Sequence, residues 1–285
     1  MKKLQIRTFS TKRLLIVFVL LINSIFLKAS FSETLPKRIV SLSPSLTEIL
    51  FSIGAGPQVI AVDTYSNYPP EAPTTRLSSM EPNLEAISKY NPDLVLLSYD
   101  IGNVVEALKK VGINTILLPA AKNFEDILVQ IRYLGKKTGN EEKSNLIAEK
   151  LKIEMESLIS KRKKEKRLRV YHELDENYYS ASINSFIGNI YYLLNFENIA
   201  DIADKESLGY PKLSPEHILF SNPEIIILTN RNKEYINDVK KRPGWSTLDA
   251  IKQNNFIILS PDIGSRWGPR IVEFAKEVVK KSDFE

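Results

Sequence analysis

Along this chain the apolar positions gather into short runs, separated by amphipathic stretches of helix length. Ile39 to Leu42, Val59 to Val62, Leu94 to Leu97 and Thr115 to Leu118 each end in turn or loop residues. All four read as strands, and Leu94 to Leu97, with no polar break, predicts a parallel strand covered on both faces. Between them, Ser45-Leu-Thr-Glu48 has the form of a capping box and opens a helix that stops at Gly54. A short helix from Asn83 ends where Asn91 precedes Pro92. Helices are also predicted over Val104 to Val111 and Asn123 to Lys137.

The longest amphipathic stretch, Asn140 to Lys166, holds no Gly or Pro. Ile147, Leu151, Met155 and Leu158 form one stripe on it. Glu141 and Glu142 near its start and Lys161 to Lys164 near its end suit the helix dipole. At 1.5 Å per residue it predicts a spar roughly 40 Å long, its basic end a solvated turn.

Beyond the spar, Arg169 to Glu173 reads as a strand, Asp175 to Ser182 as a loop and Ser185 to Leu194 as a helix. An earlier pattern then returns. Ser214 to Thr229 lies over Asn83 to Ser98 without a gap, matching Glu85 with Glu216, Ile87 with Ile218, Asn91-Pro92 with Asn222-Pro223 and Leu97 with Leu228. The following units, from Glu106 and from Asp249, also correspond. Two copies of a βαβα unit predict an α/β protein of two similar lobes, residues 33–139 and 167–285, joined by a rigid helix over 140–166, with the ligand cleft between them.

Charge adds a leader rather than a nucleic-acid surface. Six of the 39 basic residues, and no acid, lie in residues 1–32, leaving 33 basic against 34 acidic side chains. That basic start precedes the apolar run Leu14 to Leu27, and Ser30 and Ser32 suit a cleavage site. This predicts a signal peptide over 1–32, the run being shorter than the ~20 residues a bilayer needs. With no cysteine there is no disulfide and no thiol to lipidate, so a free, exported, periplasmic monomer is expected.

Chemistry is sparse. His172, on a strand, reads as a satisfied core or rim residue, and His217 as exposed; no metal-ligand cluster, phosphate loop or nucleophile motif is present, so an enzyme and a resident cofactor are not expected. Ser43, Ser45 and Glu48 have no histidine nearby, and capping accounts for the last two. What remains are aromatics on strand-end loops, Tyr65, Tyr68, Tyr178, Tyr179, Tyr210 and Trp267, with Asp262, Arg266 and Arg270. Aromatic walls with a few charged groups describe a binding cleft. Glu85 and Glu216 fit two readings: first-turn acids that favour the helix dipole, or matched knobs for a basic partner.

RIVSLSPSLTEILFSIGAG, VIAVDTYSNYPP, NLEAISKYNPDLVLLS and RPGWSTLDAIKQNNFIILSPDIGSRWGPRIVE together resemble the periplasmic substrate-binding proteins of ABC importers, in the branch for iron complexes and vitamin B12. The resemblance spans essentially the whole chain after the leader. It implies two α/β lobes, little closure, and a corrinoid ligand, with a ferric siderophore or haem as alternatives and an exported α/β enzyme as a remoter one. By position it implies ligand contacts at Tyr65, Tyr179 and Tyr210, a polar pair at Asp262 and Arg266, and docking of Glu85 and Glu216 onto arginines of the membrane permease. Met80 stands where relatives carry a tryptophan, and Trp267 where they often carry a smaller residue, extending the cleft wall. Trp245 is expected to pack.

Overall fold

The computed structural model describes residues 34–163, 165–229 and 233–282; the predicted leader and its cleavage site lie outside them. Pro36–Glu285 forms one compact unit. Among the described residues no helix is long and apolar enough to cross a membrane.

Two four-stranded parallel sheets organise that unit. The first contains β1 (Ile39–Leu42), β2 (Val59–Val62), β3 (Leu94–Leu97) and β4 (Asn114–Leu117), in the order β2-β1-β3-β4. The second contains β5 (Arg169–Glu173), β6 (Glu197–Asn198), β7 (Ile225–Thr229) and β8 (Phe256–Leu259), in the equivalent order β6-β5-β7-β8. The register repeats as well: Ile39 pairs with Leu94 and Leu42 with Leu97, as Val170 pairs with Ile225 and Glu173 with Leu228. The repeat persists to single hydrogen bonds. Arg38 Nε donates to the Asn91 carbonyl at 2.9 Å, and Arg169 Nε to the Asn222 carbonyl at 2.9 Å. Both asparagines take positive φ, 48° and 45°, a conformation Asn tolerates better than most residues.

Helices α1 (Pro44–Ser52), α2 (Leu84–Ser88), α3 (Val104–Lys110), α4 (Phe124–Thr138), α5 (Glu141–Arg162), α6 (Phe186–Leu193) and α7 (Pro215–Ser221) follow in chain order. They are succeeded by α8 (Lys233–Lys240), α9 (Asp249–Lys252), α10 (Pro261–Ser265) and α11 (Ile271–Ser282). The second copy of the repeat is thus interrupted by α8, and α9 is shorter than α3.

The spar is α5. Its 22 residues span about 33 Å, less than the sequence pattern suggests. Its basic end is also not simply solvated. Arg162 is 2% exposed with its guanidinium 4.5 Å from the Phe196 ring centre, and Lys166 pairs with Glu224 at 2.6 Å. Leu151 and Met155 are buried, with Ile147 and Leu158 packed beside them. Helix α4 turns back onto α5 through Gly139 (φ 75°), and Ser144 packs into the space that Gly135 leaves without a side chain.

Each sheet divides its side chains between two cores. Leu94 and Leu96 of β3, and Ile225 and Ile227 of β7, enter one common cluster with Leu151, Met155, Ile131 and Phe274. Their neighbours Val95 and Leu97, and Ile226 and Leu228, enter separate outer clusters. Both sheets therefore lean on one helical layer made of α4, α5 and α11, and the carboxyl ends of their strands remain for loops.

Candidate functional site

The loop after β2 is fastened from beneath. Ser66 Oγ donates to Asp63 Oδ1 at 2.5 Å and lies 3.0 Å from Thr47 Oγ1, all three residues being buried. With the base fixed, Tyr65 and Tyr68 stand outward, 60% and 39% exposed. After β3, Tyr99 is likewise exposed, and so is Met80 on the loop leading to α2.

The second lobe answers with Tyr179 and Tyr210, 41% and 43% exposed. Tyr179 is held by its carbonyl, which accepts from Leu174 N at 2.9 Å, and Lys212 Nζ lies 5.9 Å from its ring. The Tyr210 hydroxyl is pushed up to about 12 by burial and then by the nearby Tyr99. Tyr178, adjacent in sequence, turns away: at φ 68° it packs on the buried Trp245 and under Arg242.

One cluster ties the lobes. Glu48 is 3% exposed; Arg266 Nη1 donates to its Oε1 at 2.8 Å, Arg270 Nε to Oε2 at 2.8 Å and Arg270 Nη2 to Oε1 at 2.5 Å. Arg266 Nη2 also reaches the Tyr65 carbonyl at 2.9 Å, Asn67 Oδ1 at 2.7 Å and Asp262 Oδ1 at 2.9 Å. Arg270 lies flat on Tyr68, 3.9 Å from its ring centre. Two arginines thus face two carboxylates, and a residue beyond β8 holds the loop beyond β2.

Three sequence expectations change here. Glu48 is no capping residue: the N-cap is Ser43, whose side chain accepts from Leu46 N, because Pro44 occupies the first helical position it favours. Arg266 is only 10% exposed, and its guanidinium is committed to protein acceptors, so it positions the Tyr65 loop from behind. Trp267 is 8% exposed, donates to Gln130 Oε1 at 3.1 Å and meets Phe186 edge-on, so it joins the lobes inside the core rather than extending a wall. A pocket of about 380 Å³ opens beside the clasp, lined by Phe51, Tyr68, Pro269 and Arg270 among others; none of Tyr65, Tyr99, Tyr179 or Tyr210 lines it.

His172 is fully buried between Thr229 Oγ1 (2.6 Å) and the Tyr191 hydroxyl (2.8 Å), and burial lowers its pKa to about 3. It is a neutral core residue. His217 is half-buried, its Nε2 2.7 Å from the Ile199 carbonyl oxygen. Glu85 and Glu216 both occur in the first turns of matched helices, α2 and α7, capped by Asn83 and Ser214, and both are exposed.

Exposed aromatic rings on strand-end loops of both lobes are surfaces that a ligand could stack on, and among the described residues no histidine lies beside a candidate nucleophile of these loops. Comparison with known proteins agrees with that reading. A family model described as "Periplasmic binding protein" matches residues 39–263. An uncharacterized ABC transporter substrate-binding lipoprotein, YvrC of Bacillus subtilis, is 29% identical over 255 residues, covering 86% of this chain and 79% of that protein. A vitamin B12-binding protein of Vibrio cholerae is 26% identical over 248 residues, covering 85% and 87%. The structure of a possible iron-binding (periplasmic solute-binding) protein from Staphylococcus epidermidis superposes with a TM-score of 0.78 at 27% identity, covering 87% of this chain and 99% of that one. Paired parallel sheets of equal strand order, a shared helical layer and aromatic strand-end loops have one common explanation: the chain belongs to the periplasmic binding protein family, whose members carry solutes and catalyse no reaction.

Proposed function

We propose that the protein captures a corrinoid between Tyr65 and Tyr99 of one lobe and Tyr179 and Tyr210 of the other, and delivers it to an ABC importer through Glu85 and Glu216. The observation that carries the ligand class is the Glu48 cluster. The two arginines nearest the Tyr65 loop are bound to Glu48 and Asp262, so they do not present free cations to an anionic ligand. A flat, amphipathic, weakly charged macrocycle suits aromatic faces better than a multiply charged chelate does. The vitamin B12-binding relative supports this reading. A ferric complex is the second reading, favoured by Lys212 beside Tyr179 and by the structure described as a possible iron-binding protein. In this reading the protein works outside the cytoplasm, as a monomer.

Calorimetric titration of the purified protein with cyanocobalamin, haemin and a ferric siderophore separates the ligands. Saturable one-to-one binding of cyanocobalamin is expected, weakened about tenfold or more by Tyr65→Ala or Tyr210→Ala, since each removes a large apolar face. Tight siderophore binding with no cobalamin binding would overturn the ligand. In the double variant Glu85→Arg/Glu216→Arg, uptake should vanish while ligand binding persists.

A further inference from the structure

The matched helices α2 and α7 present equivalent positions with different chemistry. Each turns one fully buried isoleucine inward, Ile87 and Ile218. Each carries its carboxylate in the first turn. Four residues on, along the same helical face, stand Lys89 in the N-terminal lobe and Phe220 in the C-terminal lobe.

That exchange makes the two carboxylates unequal. Lys89 Nζ lies 3.5 Å from Glu85 Oε1, so Glu85 is already compensated within its own helix. Glu216 forms no ion pair among the described residues. Beside it Phe220 is 91% exposed, more than any other large apolar side chain among the described residues. A lone apolar residue on a surface is ordinary. What distinguishes Phe220 is its place, one turn from an unpaired carboxylate, on a helix held rigid by Ile218 and by His217, which bonds the Ile199 carbonyl. The loop so fastened continues to Ile202, itself 81% exposed.

We propose that the two docking faces are unequal: the C-terminal lobe engages the importer's permease through Glu216 and Phe220 together. The partner surface it fits is a guanidinium or ammonium beside an apolar socket, since an aromatic anchor shields a charge pair from water. The N-terminal lobe contributes Glu85 alone, and only as Lys89 is displaced. This rests on the docking reading above and assigns which lobe dominates it.

The test uses a photo-cross-linking amino acid at position 220, and separately at 89, in the full chain produced in its own cells. The attachment peptide is sequenced, and variants are titrated against the purified cross-linked importer. Position 220 should join an integral membrane subunit at a segment carrying Lys or Arg. Phe220→Ala should weaken binding about tenfold or more. Lys89→Ala should leave binding unchanged or tighten it, because it frees Glu85. An unweakened Phe220→Ala alongside a non-binding Glu216→Arg overturns the inequality and leaves docking intact. If Glu216→Arg also binds normally, the docking reading falls too. Cross-linking of position 220 to a second copy of this chain likewise overturns the proposal. Because Phe220 is exposed, an unchanged melting temperature shows that the variant remains folded.

Discussion

Replacing Glu48 with glutamine tests the clasp most directly. The substitution keeps size and shape but removes the charge that two arginines share. Arg270 loses the carboxylate it is paired with and keeps the face of Tyr68, while Arg266 retains Asp262, Asn67 and the Tyr65 carbonyl. The Arg266 and Arg270 side chains are 10% and 15% exposed, so water replaces little of what is lost. Leaving such a charge uncompensated costs about 3–5 kcal/mol, a large part of the ~5–15 kcal/mol that holds a protein folded. Arg266→Met is milder, because Glu48 keeps its two-point contact with Arg270; the loss is about 1.5–3 kcal/mol. Urea unfolding reads both. With slopes of about 1–3 kcal/mol per molar, Glu48→Gln should lower the midpoint by on the order of 1 M or more. A loss under about 1 kcal/mol, or Arg266→Met as harmful as Glu48→Gln, would refute the clasp as the source of that stability.

Two further perturbations address the core. His172 titrates lower in the folded chain than in the unfolded one, about 3 against 6.5, so the unfolded chain binds the extra proton. Stability is therefore complete above pH 6.5 and falls as pH drops toward 3, by up to about 1.4 kcal/mol per unit. Urea midpoints between about pH 6.5 and 5 should show this slope, and His172→Gln should flatten it; equal slopes would disprove the assignment. A Cβ on Gly135 would lie 1.9 Å from Ser144 Oγ and 2.2 Å from Ser144 Cβ. Gly135→Ala should then wedge α4 from α5 at a cost of about 1–3 kcal/mol in thermal unfolding, and Ser144→Gly in the same chain should recover part of it.

What was legible in the sequence was whatever local order writes down. Short runs, wholly apolar in β2 and β3 and broken only by Ser41 in β1, marked these strands because a doubly covered strand needs apolar side chains on both faces. The recurring Asn-Pro announced a helix end in each lobe because the residue before Pro leaves the helical region, and Arg38 and Arg169 then bond those turns alike. Tyr99 carried the same mark as Tyr65, an aromatic just past a strand, and was readable on that ground. Glu48 was not. Its partners lie 218 and 222 positions away, and its local surroundings imitate a capping box, so nothing within one helix distinguishes a cap from a buried counter-charge. Arg162 and Trp267 failed for a related reason: a basic run and an aromatic loop both look solvent-facing until a distant element covers them.

The division of the core bears on how a ligand is held. Because β3 and β7 both send side chains into the layer of α4, α5 and α11, swinging the lobes apart would expose Met155, Leu151 and Phe274 together. Exposing even about 200 Å² of that surface costs roughly 5 kcal/mol at 25 cal/mol per Å², comparable to a whole domain's net stability. Wide hinge opening is therefore disfavoured, and the Glu48 clasp opposes it again beneath the Tyr65 loop. Adjustment to a ligand falls instead to the strand-end loops, which bury least. Among these the Tyr65 loop is tied at its backbone by Arg266 and at its base by Asp63, while its ring stays exposed. A frame tied in this way loses little order when a ligand is bound, the condition under which contact area becomes affinity.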